Sequence, residues 1–186
     1  MAYEEKEVAM TRKVEANYYQ ERLKAAEEKQ QREMALKKVV TPDEMPWEVS
    51  PQGTIKHLVN DKMGTRVNTV DIYMQMIAGG SRSGKHRHMA EEYMFILEGK
   101  GYSLHWDVDM ELGEKYYWKA QETPSRWEWE QGDSVYIPPN TIHQHFNADP
   151  DQPVRLISAE SRIMAQMGLD DLEQIESAPE YDEKSK

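Results

Sequence analysis

The chain has 186 residues, a formal net charge of −11 and no cysteine. This length suits one compact domain with terminal extensions and argues against two full domains. The lack of cysteine excludes disulfides, thiolate metal sites and Cys nucleophiles, and the negative charge argues against nucleic acid and anionic membranes as partners.

Residues 1–45 are predicted to form an N-terminal helical arm. Residues 4–38 contain neither Gly nor Pro and are rich in Glu, Lys, Ala, Gln and Arg, which favours one long helix. Pro42 and Pro46 are expected to end it. Its apolar residues form only an intermittent stripe, so we expect the helix to pack on the rest of the chain or on a partner subunit rather than to carry catalytic residues.

Residues 46–161 are predicted to fold as a single β-barrel. From about residue 54 the chain changes to short runs of β-branched and aromatic residues separated by Gly, Pro, Asn and Asp. The runs cover residues 67–78, 92–97, 102–108, 115–119, 126–130, 134–137 and 154–160. Short strands at such close spacing are typical of an antiparallel sandwich or barrel.

Two patterns within these strands predict which side chains are buried. Ile72, Met74 and Met76 share one strand face and are expected to line the interior, where they would suit a flat or apolar ligand or simply fill the core. Trp127 and Trp129 alternate with charged residues on a later strand. Both are therefore expected to be buried together, either under the barrel rim or against a second subunit.

Residues 162–186 are predicted to form a C-terminal helix and an acidic tail. The stretch RIMAQMGLDDLEQI, residues 162–175, has the composition of a short helix. The remaining residues, 176–186, are acidic and contain a Pro, so we expect them to be mobile.

Histidine clustering is the most informative feature of the sequence. Four of the six His residues fall into two pairs, His86 with His88 and His143 with His145. Because side chains alternate between the two faces of a strand, the rings of each pair point the same way and can reach one ion.

The acidic residues after His88 add a further candidate ligand. Counting by twos from His88 reaches Glu92, which is predicted to point inward with the histidines, whereas Glu91 is predicted to point outward. The count holds only if the intervening turn does not shift the register.

The spacing of two sequence blocks is highly specific. The first block is Gly80, five residues, His86-Arg87-His88, three residues, Glu92, six residues and Gly99. The second is Gly132, five residues, Pro138, then Asn140, two residues, His143, three residues and Asn147. With this spacing the chain resembles the cupin superfamily over about residues 80–147. The family pattern has Gly where this chain has Asn140, but Asn tolerates the left-handed backbone conformation better than most residues, so the turn is expected to be kept.

The resemblance implies a small all-β jelly-roll barrel that holds a metal ion through two His and a Glu of the first block and one His of the second. Mapped onto this chain, the ligands are His86, His88, Glu92 and His143. Three neutral imidazoles and one carboxylate leave one or two open positions on a divalent ion, where substrate or dioxygen can bind. Fe(II) is the expected cofactor, with Mn, Zn and Ni as alternatives.

The remaining candidate residues allow more than one interpretation. His145 shares its strand face with the ligand of the second block, so it is either a catalytic acid or base beside the metal or a strand cap. His57 and His105 stand alone and are assigned to packing or solvent contacts. Arg82 and Lys85 lie in the loop that leads to the histidines of the first block, where they would meet an anionic substrate or be solvated.

Three functions are compatible with such a metal site, because this fold alone does not select a reaction. The first is an Fe(II)-dependent dioxygenase acting on a small hydroxylated, aromatic substrate, favoured by a looser resemblance to gentisate-type ring-cleaving cupins in the His-Arg-His, Glu-Gly-Lys-Gly and His-Gln-His-Phe-Asn stretches. The second is a nonoxidative lyase, decarboxylase or isomerase. The third is a noncatalytic small-molecule-binding cupin.

Partners and location are also expectations at this stage. No apolar run reaches the roughly 20 residues of a membrane helix, and the first residues lack the profile of a signal peptide, so we expect a cytoplasmic protein. A long, partly apolar helix and paired Trp residues need a surface to cover them, which favours a homodimer. Otherwise we expect only small-molecule partners, including dioxygen.

Overall fold

The computed structural model describes residues 16–67, 69–169 and 172–182. The chain divides into two compact units, residues 1–37 and residues 38–186.

The first unit contains helix α1 (Tyr18–Ala35). Pairs spaced four residues apart stabilise it, such as Lys24 with Glu28, whose charged atoms lie 3.8 Å apart. None of its residues is buried. The helix is shorter than the predicted range, since Leu36 already has extended backbone and residues 4–15 lie outside the described part of the chain.

The second unit is almost entirely β-structure. Its strands are β1 (Trp47–Ser50), β2 (Gly53–Val59), β3 (Val70–Ile77), β4 (Lys85–Arg87), β5 (Glu92–Glu98), β6 (Lys100–Trp106), β7 (Val108–Leu112), β8 (Tyr116–Ala120), β9 (Ser125–Glu130), β10 (Ser134–Ile137), β11 (Ile142–Asn147), β12 (Val154–Ser161) and β13 (Glu173–Glu176). Two 3₁₀ turns (Pro42–Glu44 and Asp61–Met63) and the one-turn helix α2 (Ile163–Gln166) complete it.

The strands form two larger antiparallel sheets and a hairpin. The six-stranded sheet has the order β1-β2-β3-β12-β5-β10, and the five-stranded sheet has the order β13-β4-β11-β6-β9. Strands β7 and β8 pair only with each other within the described residues. The predicted all-β jelly roll is confirmed, as a sandwich of two sheets rather than a closed barrel.

Burial of apolar side chains between the sheets stabilises the sandwich. The core cluster consists of Ile77, Met94, Ile96, Trp129, Val135, Ile137, Val154 and Leu156. Gly101 allows Trp129 to pack there, because a Cβ at Gly101 would lie 2.3 Å from the Trp129 ring. The strands of both sheets are thereby held at a fixed separation, and their inward-facing polar residues are brought close together.

The Met-rich inner wall predicted on β3 is wrong. Tyr73, Gln75 and Ile77 are the buried residues of this strand, while Met74 and Met76 line a groove on the outer side of the sheet with Trp47. Alternation separates the two sets of side chains correctly but does not say which set faces inward.

The prediction that Trp127 and Trp129 are buried together is also wrong within this chain. Trp129 is 3% exposed, whereas Trp127 is 54% exposed. Trp129 belongs to the core cluster and donates its indole N–H to Ser103, whereas Trp127, on the same edge strand β9, does not belong to that cluster.

The C-terminal prediction requires a correction. Among residues 162–169 and 172–175, which are the described part of this stretch, only Ile163–Gln166 is helical, and Gly168, with φ of 72°, follows the helix. Residues Glu173–Glu176 form β13, which pairs with β4. The predicted mobile tail is anchored at Ala178, which is 2% exposed and donates its backbone N–H to the Pro51 carbonyl.

The outer face of the six-stranded sheet is strongly apolar. One cross-strand row runs from Trp47 through Lys56, Met74 and Ile157 to Phe95. The large side chains that remain 36–52% exposed on this face are Trp47, Val49, Tyr93, Phe95, Leu97 and Tyr136. Among the described helices, none has the length and apolar character needed to cross a bilayer.

Candidate metal centre

Four side chains that sequence spacing singled out meet between the two sheets. His86 lies on β4, His88 directly follows that strand, Glu92 begins β5 and His143 lies on β11. Each offers one ligand atom, and these atoms all lie within 4.8 Å of one another. All four residues are at most 3% exposed, so the cluster is a buried polar site enclosed by the sandwich.

Strand pairing explains why the rings converge. His86 is directly opposite His143 in the β4–β11 ladder, and their ring centroids are 4.2 Å apart. Glu92 reaches the same place from the facing sheet, where it is 1% exposed. Glu91 points outward and accepts a hydrogen bond from the Tyr136 hydroxyl, as the count by twos predicts.

Backbone carbonyls fix the orientation of two imidazoles. The Nδ1 atom of His88 lies 2.9 Å from the Ala90 carbonyl oxygen, and Nδ1 of His143 lies 2.9 Å from the Thr141 carbonyl oxygen. A carbonyl oxygen can only accept, so both Nδ1 atoms carry a proton. In the neutral rings, Nε2 is therefore the atom with the available lone pair, as a metal ligand requires.

These Nε2 atoms face the carboxylate. The His88 Nε2 atom lies 3.0 Å and the His143 Nε2 atom 3.4 Å from Oε2 of Glu92. The buried Nε2 of His143 has no hydrogen-bond partner. A lone pair facing a carboxylate in a buried space is unfavourable unless a cation lies between them.

When no metal is bound, the net charge of the cluster depends on whether His88 holds a second proton. Burial disfavours ionised Glu92, but the adjacent imidazoles of His143 and His88 hold the pKa of Glu92 well below its usual range. Burial also disfavours charged His88, yet its hydrogen bond to Glu92 and the negative charge of Glu92 raise the pKa of His88 to about 9. A divalent ion would replace that proton. The donor set, the orphaned His143 nitrogen and the burial thus fit a metal ion.

Two residues that the sequence did not reveal as site residues hold the other oxygen of Glu92. The hydroxyl of Tyr73 on β3 donates to Oε1 of Glu92 at 3.0 Å, and the hydroxyl of Ser158 on β12 donates to the same oxygen. Burial, followed by the charge of Glu92, raises the pKa of Tyr73 well above its ordinary value, so the phenol keeps its proton. These two donors fix the carboxylate and leave Oε2 directed at the imidazoles.

The imidazole of His86 is less constrained. Its Nε2 atom lies 3.3 Å from Nε2 of Gln52, and its Nδ1 atom is buried without a hydrogen-bond partner. Burial and the charge of His143 lower the pKa of His86 well below its usual range, so the ring is neutral. The Gln52 amide nitrogen can only donate, so Nε2 of His86 carries the lone pair and is the nitrogen available to a metal ion in its place.

Asn140 occupies the glycine position of the second block and adopts the expected conformation. Its φ is 63°, and no other non-glycine residue in the described part of the chain has a positive φ. The backbone N–H of Asn140 donates to the His88 carbonyl at 2.8 Å, and its Oδ1 accepts from Arg87 at 2.6 Å. The turn is therefore hydrogen-bonded to the segment that carries the first two histidines.

His145 and His105 lie beside the cluster, contrary to the assignment of His105 to packing or solvent contacts alone. The ring centroids of His145 and His105 lie 5.5 Å and 6.4 Å from that of His143. Burial, followed by the charge of His143, lowers the pKa of His145 to about 3 and that of His105 to about 4. Nδ1 of His145 lies 2.8 Å from the Ser103 hydroxyl, which also accepts from the Trp129 indole.

The other candidate cations and His57 serve structural contacts. Arg82 and Lys85 both approach Glu176 of β13, at 2.9 Å and 3.8 Å. His57 pairs with Glu48 at 2.7 Å. Arg82, Lys85 and His57 are thus engaged with carboxylates of the chain itself, within the described residues.

A cavity of about 530 Å³ adjoins the cluster at one end of the sandwich. Its lining includes Gln52 and Tyr73, which contact His86 and Glu92 respectively. Both apolar and charged side chains complete the walls. The cavity is within the size range of small-molecule sites.

Comparison with known proteins agrees with this architecture. A family model described as the cupin domain matches residues 72–160. Auxin-binding protein 4 of Zea mays is 30% identical over 93 residues, which is 50% of this chain and 42% of that protein. The chain therefore spans less than half the length of this curated relative.

Solved structures that align with this chain have low sequence identity. A cupin-like protein of Thermotoga maritima is 22% identical with a TM-score of 0.47, covering 76% of this chain and 86% of that one. Salicylate 1,2-dioxygenase of Pseudaminobacter salicylatoxidans is 21% identical with a TM-score of 0.46, covering 64% of this chain and 30% of that one. A variant of oxalate decarboxylase of Bacillus subtilis is 15% identical with a TM-score of 0.49, covering 61% and 27%.

The two spaced sequence blocks, the jelly-roll sandwich around their convergent side chains and the matching family model lead to one assignment. Residues 72–160 of this chain form a cupin domain.

Proposed function

We propose that this chain is a metal-dependent cupin enzyme that acts as an Fe(II)-dependent dioxygenase on a small hydroxylated, aromatic substrate. The observation that carries the proposal is the buried Nε2 atom of His143, which has no hydrogen-bond partner and lies 3.4 Å from the Glu92 carboxylate. His86 and His88 complete the set of groups within 4.8 Å. When bound, Fe(II) would supply open positions for dioxygen and a hydroxylated substrate.

The side chains around the cluster would prepare the site for that chemistry. Tyr73 and Ser158 hold Oε1 of Glu92, which keeps the carboxylate aligned without a change in its protonation. Burial of the cluster excludes bulk water, which strengthens each interaction with a bound cation. The cavity beside Tyr73 and Gln52 gives a small molecule access to the cluster.

A nonoxidative reaction is the second candidate, because two neutral proton-bearing groups lie next to the cluster. The Tyr73 phenol keeps its proton, since burial raises its pKa. His145 is neutral, since burial lowers its pKa to about 3. Either group is placed to move a proton in a lyase, decarboxylase or isomerase, with Mn, Zn or Ni as the bound ion.

The two candidates are separated by loading the metal-free protein with Fe(II), Mn(II) or Zn(II) under anaerobic conditions. Dioxygen uptake is then followed over a panel of catechols, hydroquinones, gentisate-like acids and diketones. Uptake that requires iron and substrate together supports the dioxygenase. Product formed without dioxygen supports the nonoxidative candidate, and tight binding without turnover refutes both in favour of a binding protein.

A further inference from the structure

A second cavity lies between the edges of the two sheets. Its volume is about 440 Å³, and its walls come from β6, β9 and β10 and from the segments that follow β6 and β10. Strands β9 and β10 are edge strands of the five-stranded and six-stranded sheets. We call this space the lateral cavity; it is distinct from the cavity beside Tyr73, with which it shares no lining residue.

The floor of the lateral cavity carries an unpartnered polar group. His105 is 4% exposed and lines the cavity, and its Nε2 atom has no hydrogen-bond partner. A buried imidazole nitrogen without a partner costs free energy. A ligand hydroxyl in the cavity can remove that cost, because a hydroxyl both donates and accepts.

His105 also connects the cavity with the metal cluster. His105 is directly opposite His143 in the β6–β11 ladder, and His143 is directly opposite His86. The three imidazoles form one cross-strand row, with Ser125 at the edge of the sheet. A molecule in the lateral cavity is thus one side chain away from the cluster.

The walls favour a flat ring. Trp127 is 54% exposed and lines the cavity, while Trp129 is fixed by its indole hydrogen bond to Ser103. Aromatic side chains stack well on planar ligands, and half-exposed ones gain most from being covered.

The charge of the walls selects against anions. The lining includes Asp107, Glu128 and Asp133, and no Lys or Arg is among the described residues that line the cavity. Arg126 pairs with Glu128 at 2.7 Å and offsets that charge, so the charges of Asp107 and Asp133 remain. A ligand carboxylate would meet like charge without a compensating cation.

We propose that the lateral cavity binds an uncharged or cationic hydroxylated aromatic molecule and excludes aromatic carboxylates. Its hydroxyl hydrogen-bonds to His105 and its ring stacks on Trp127. The identification of this molecule as the substrate rests on the proposed function, whereas the binding itself requires no metal.

The test uses the full-length chain without metal and measures binding by calorimetry with hydroquinone, tyramine and gentisate as probes. Hydroquinone and tyramine are expected to bind at least tenfold more tightly than gentisate. The variants Trp127→Ala and His105→Leu are each expected to weaken hydroquinone binding at least fivefold. Trp118→Ala is the matched control, since Trp118 is 52% exposed on β8 and lines no part of the cavity.

A charge variant tests the selectivity separately. Asp107→Asn keeps an acceptor for the Thr141 hydroxyl, which lies 3.3 Å from Asp107, and is expected to reduce the preference for hydroquinone over gentisate at least threefold. Gentisate binding as tight as hydroquinone binding, or hydroquinone binding unchanged in both Trp127→Ala and His105→Leu, would overturn the proposal. Binding that follows these expectations in a protein without turnover would instead overturn only the proposed enzyme function.

Discussion

His86 and His143 are directly paired across β4 and β11, and their ring centroids lie 4.2 Å apart. Both belong to the five-stranded sheet, whereas Glu92 belongs to the six-stranded sheet. A cation bound by all three would therefore link the two sheets through the middle of the sandwich. Binding of such a cation would consequently be coupled to the stability of the fold.

Adjacent glutamates provide a matched test of the ligand set. Glu92→Gln is expected to lower the metal content by at least tenfold, because the amide cannot supply the negative charge that the buried cation needs. Glu91→Gln is expected to keep wild-type metal content, since Glu91 is exposed and bonded to Tyr136. Elemental analysis after dialysis against Zn(II) or Fe(II) measures both variants, and equal loss in the two would place the carboxylate ligand elsewhere.

Because a bound cation would link the two sheets, metal binding is expected to raise the Tm of the chain. Saturating metal at about one hundred times its Kd stabilises a protein by about 2.7 kcal/mol, which corresponds to about 5–10 °C in Tm for a chain of this size. His143→Ala is expected to abolish the shift. His57→Ala is the control, because His57 pairs with Glu48 and is not one of the four residues of the cluster. A shift that persists in His143→Ala would show that the ion binds at another place.

Substitution of two tyrosines distinguishes a hydroxyl that positions the metal ligand Glu92 from one that does not contact the cluster. Tyr73→Phe removes the hydroxyl that donates to Glu92 and is expected to weaken metal binding about 10- to 100-fold, as for other partners of metal ligands. Tyr93→Phe removes a hydroxyl that donates to Ser134 on the outer face and is expected to leave metal affinity unchanged. Competition titrations with a chelator measure both affinities. Equal affinities in the two variants would mean that Ser158 alone positions the carboxylate.

The candidate site was predictable because it depends on spacing and alternation. Two histidines that flank one residue share a face of a strand, and the count by twos from His88 to Glu92 survives the intervening turn. Asn140 illustrates the same point, since a residue type that tolerates positive φ stands where the chain needs it. These are local properties, which a sequence expresses directly.

Features that depend on distant contacts were not predictable. Tyr73 and Ser158 join the site only because β3, β12 and β5 are neighbours in one sheet. Strand β13 forms because Glu173 meets Arg87 at 2.6 Å and Glu176 meets Arg82, although residues 162–175 have the composition of a helix. Tertiary contacts of this kind override local propensity.

The apolar outer face of the six-stranded sheet predicts a homodimer. Half-exposed aromatic side chains leave about 100 Å² each accessible, so the four on this face, together with Val49 and Leu97, provide more than half of the roughly 800 Å² per partner of a stable interface. Phe95→Asp, on β5 within this apolar face, is expected to give a monomer in light scattering. Leu112→Asp on β7 is the control, because Leu112 is 74% exposed on the separate hairpin. A wild-type chain that is monomeric at 100 µM would contradict the expectation.

The metal-free chain is expected to be most stable near pH 6.5, because its buried histidines titrate in opposite directions. Burial lowers the pKa of His145 to about 3. Below about pH 6.5 the unfolded chain therefore binds a proton that the folded chain does not. The free energy of unfolding consequently falls by about 1.4 kcal/mol for each pH unit of acidification. Burial opposes the charge on His88, but Glu92 raises the pKa of His88 to about 9. The folded chain therefore keeps a proton that the unfolded chain has lost, and stability falls again between about pH 6.5 and 9.

Urea unfolding between pH 4.5 and 9 measures stability on both sides of the maximum, along the acid limb below about pH 6.5 and the alkaline limb above it. His145→Gln is expected to make the acid limb less steep, while the contribution of His105, whose pKa burial lowers to about 4, remains. Zn(II) is expected to remove the alkaline limb, because the ion takes the place of the His88 proton and holds the ring neutral in the folded state. A metal-free profile that is flat from pH 6.5 to 9 would show that the folded chain does not hold this proton. In that case the Glu92 carboxylate would have to be neutralised in some other way, since a buried charge beside two imidazole lone pairs is not stable alone.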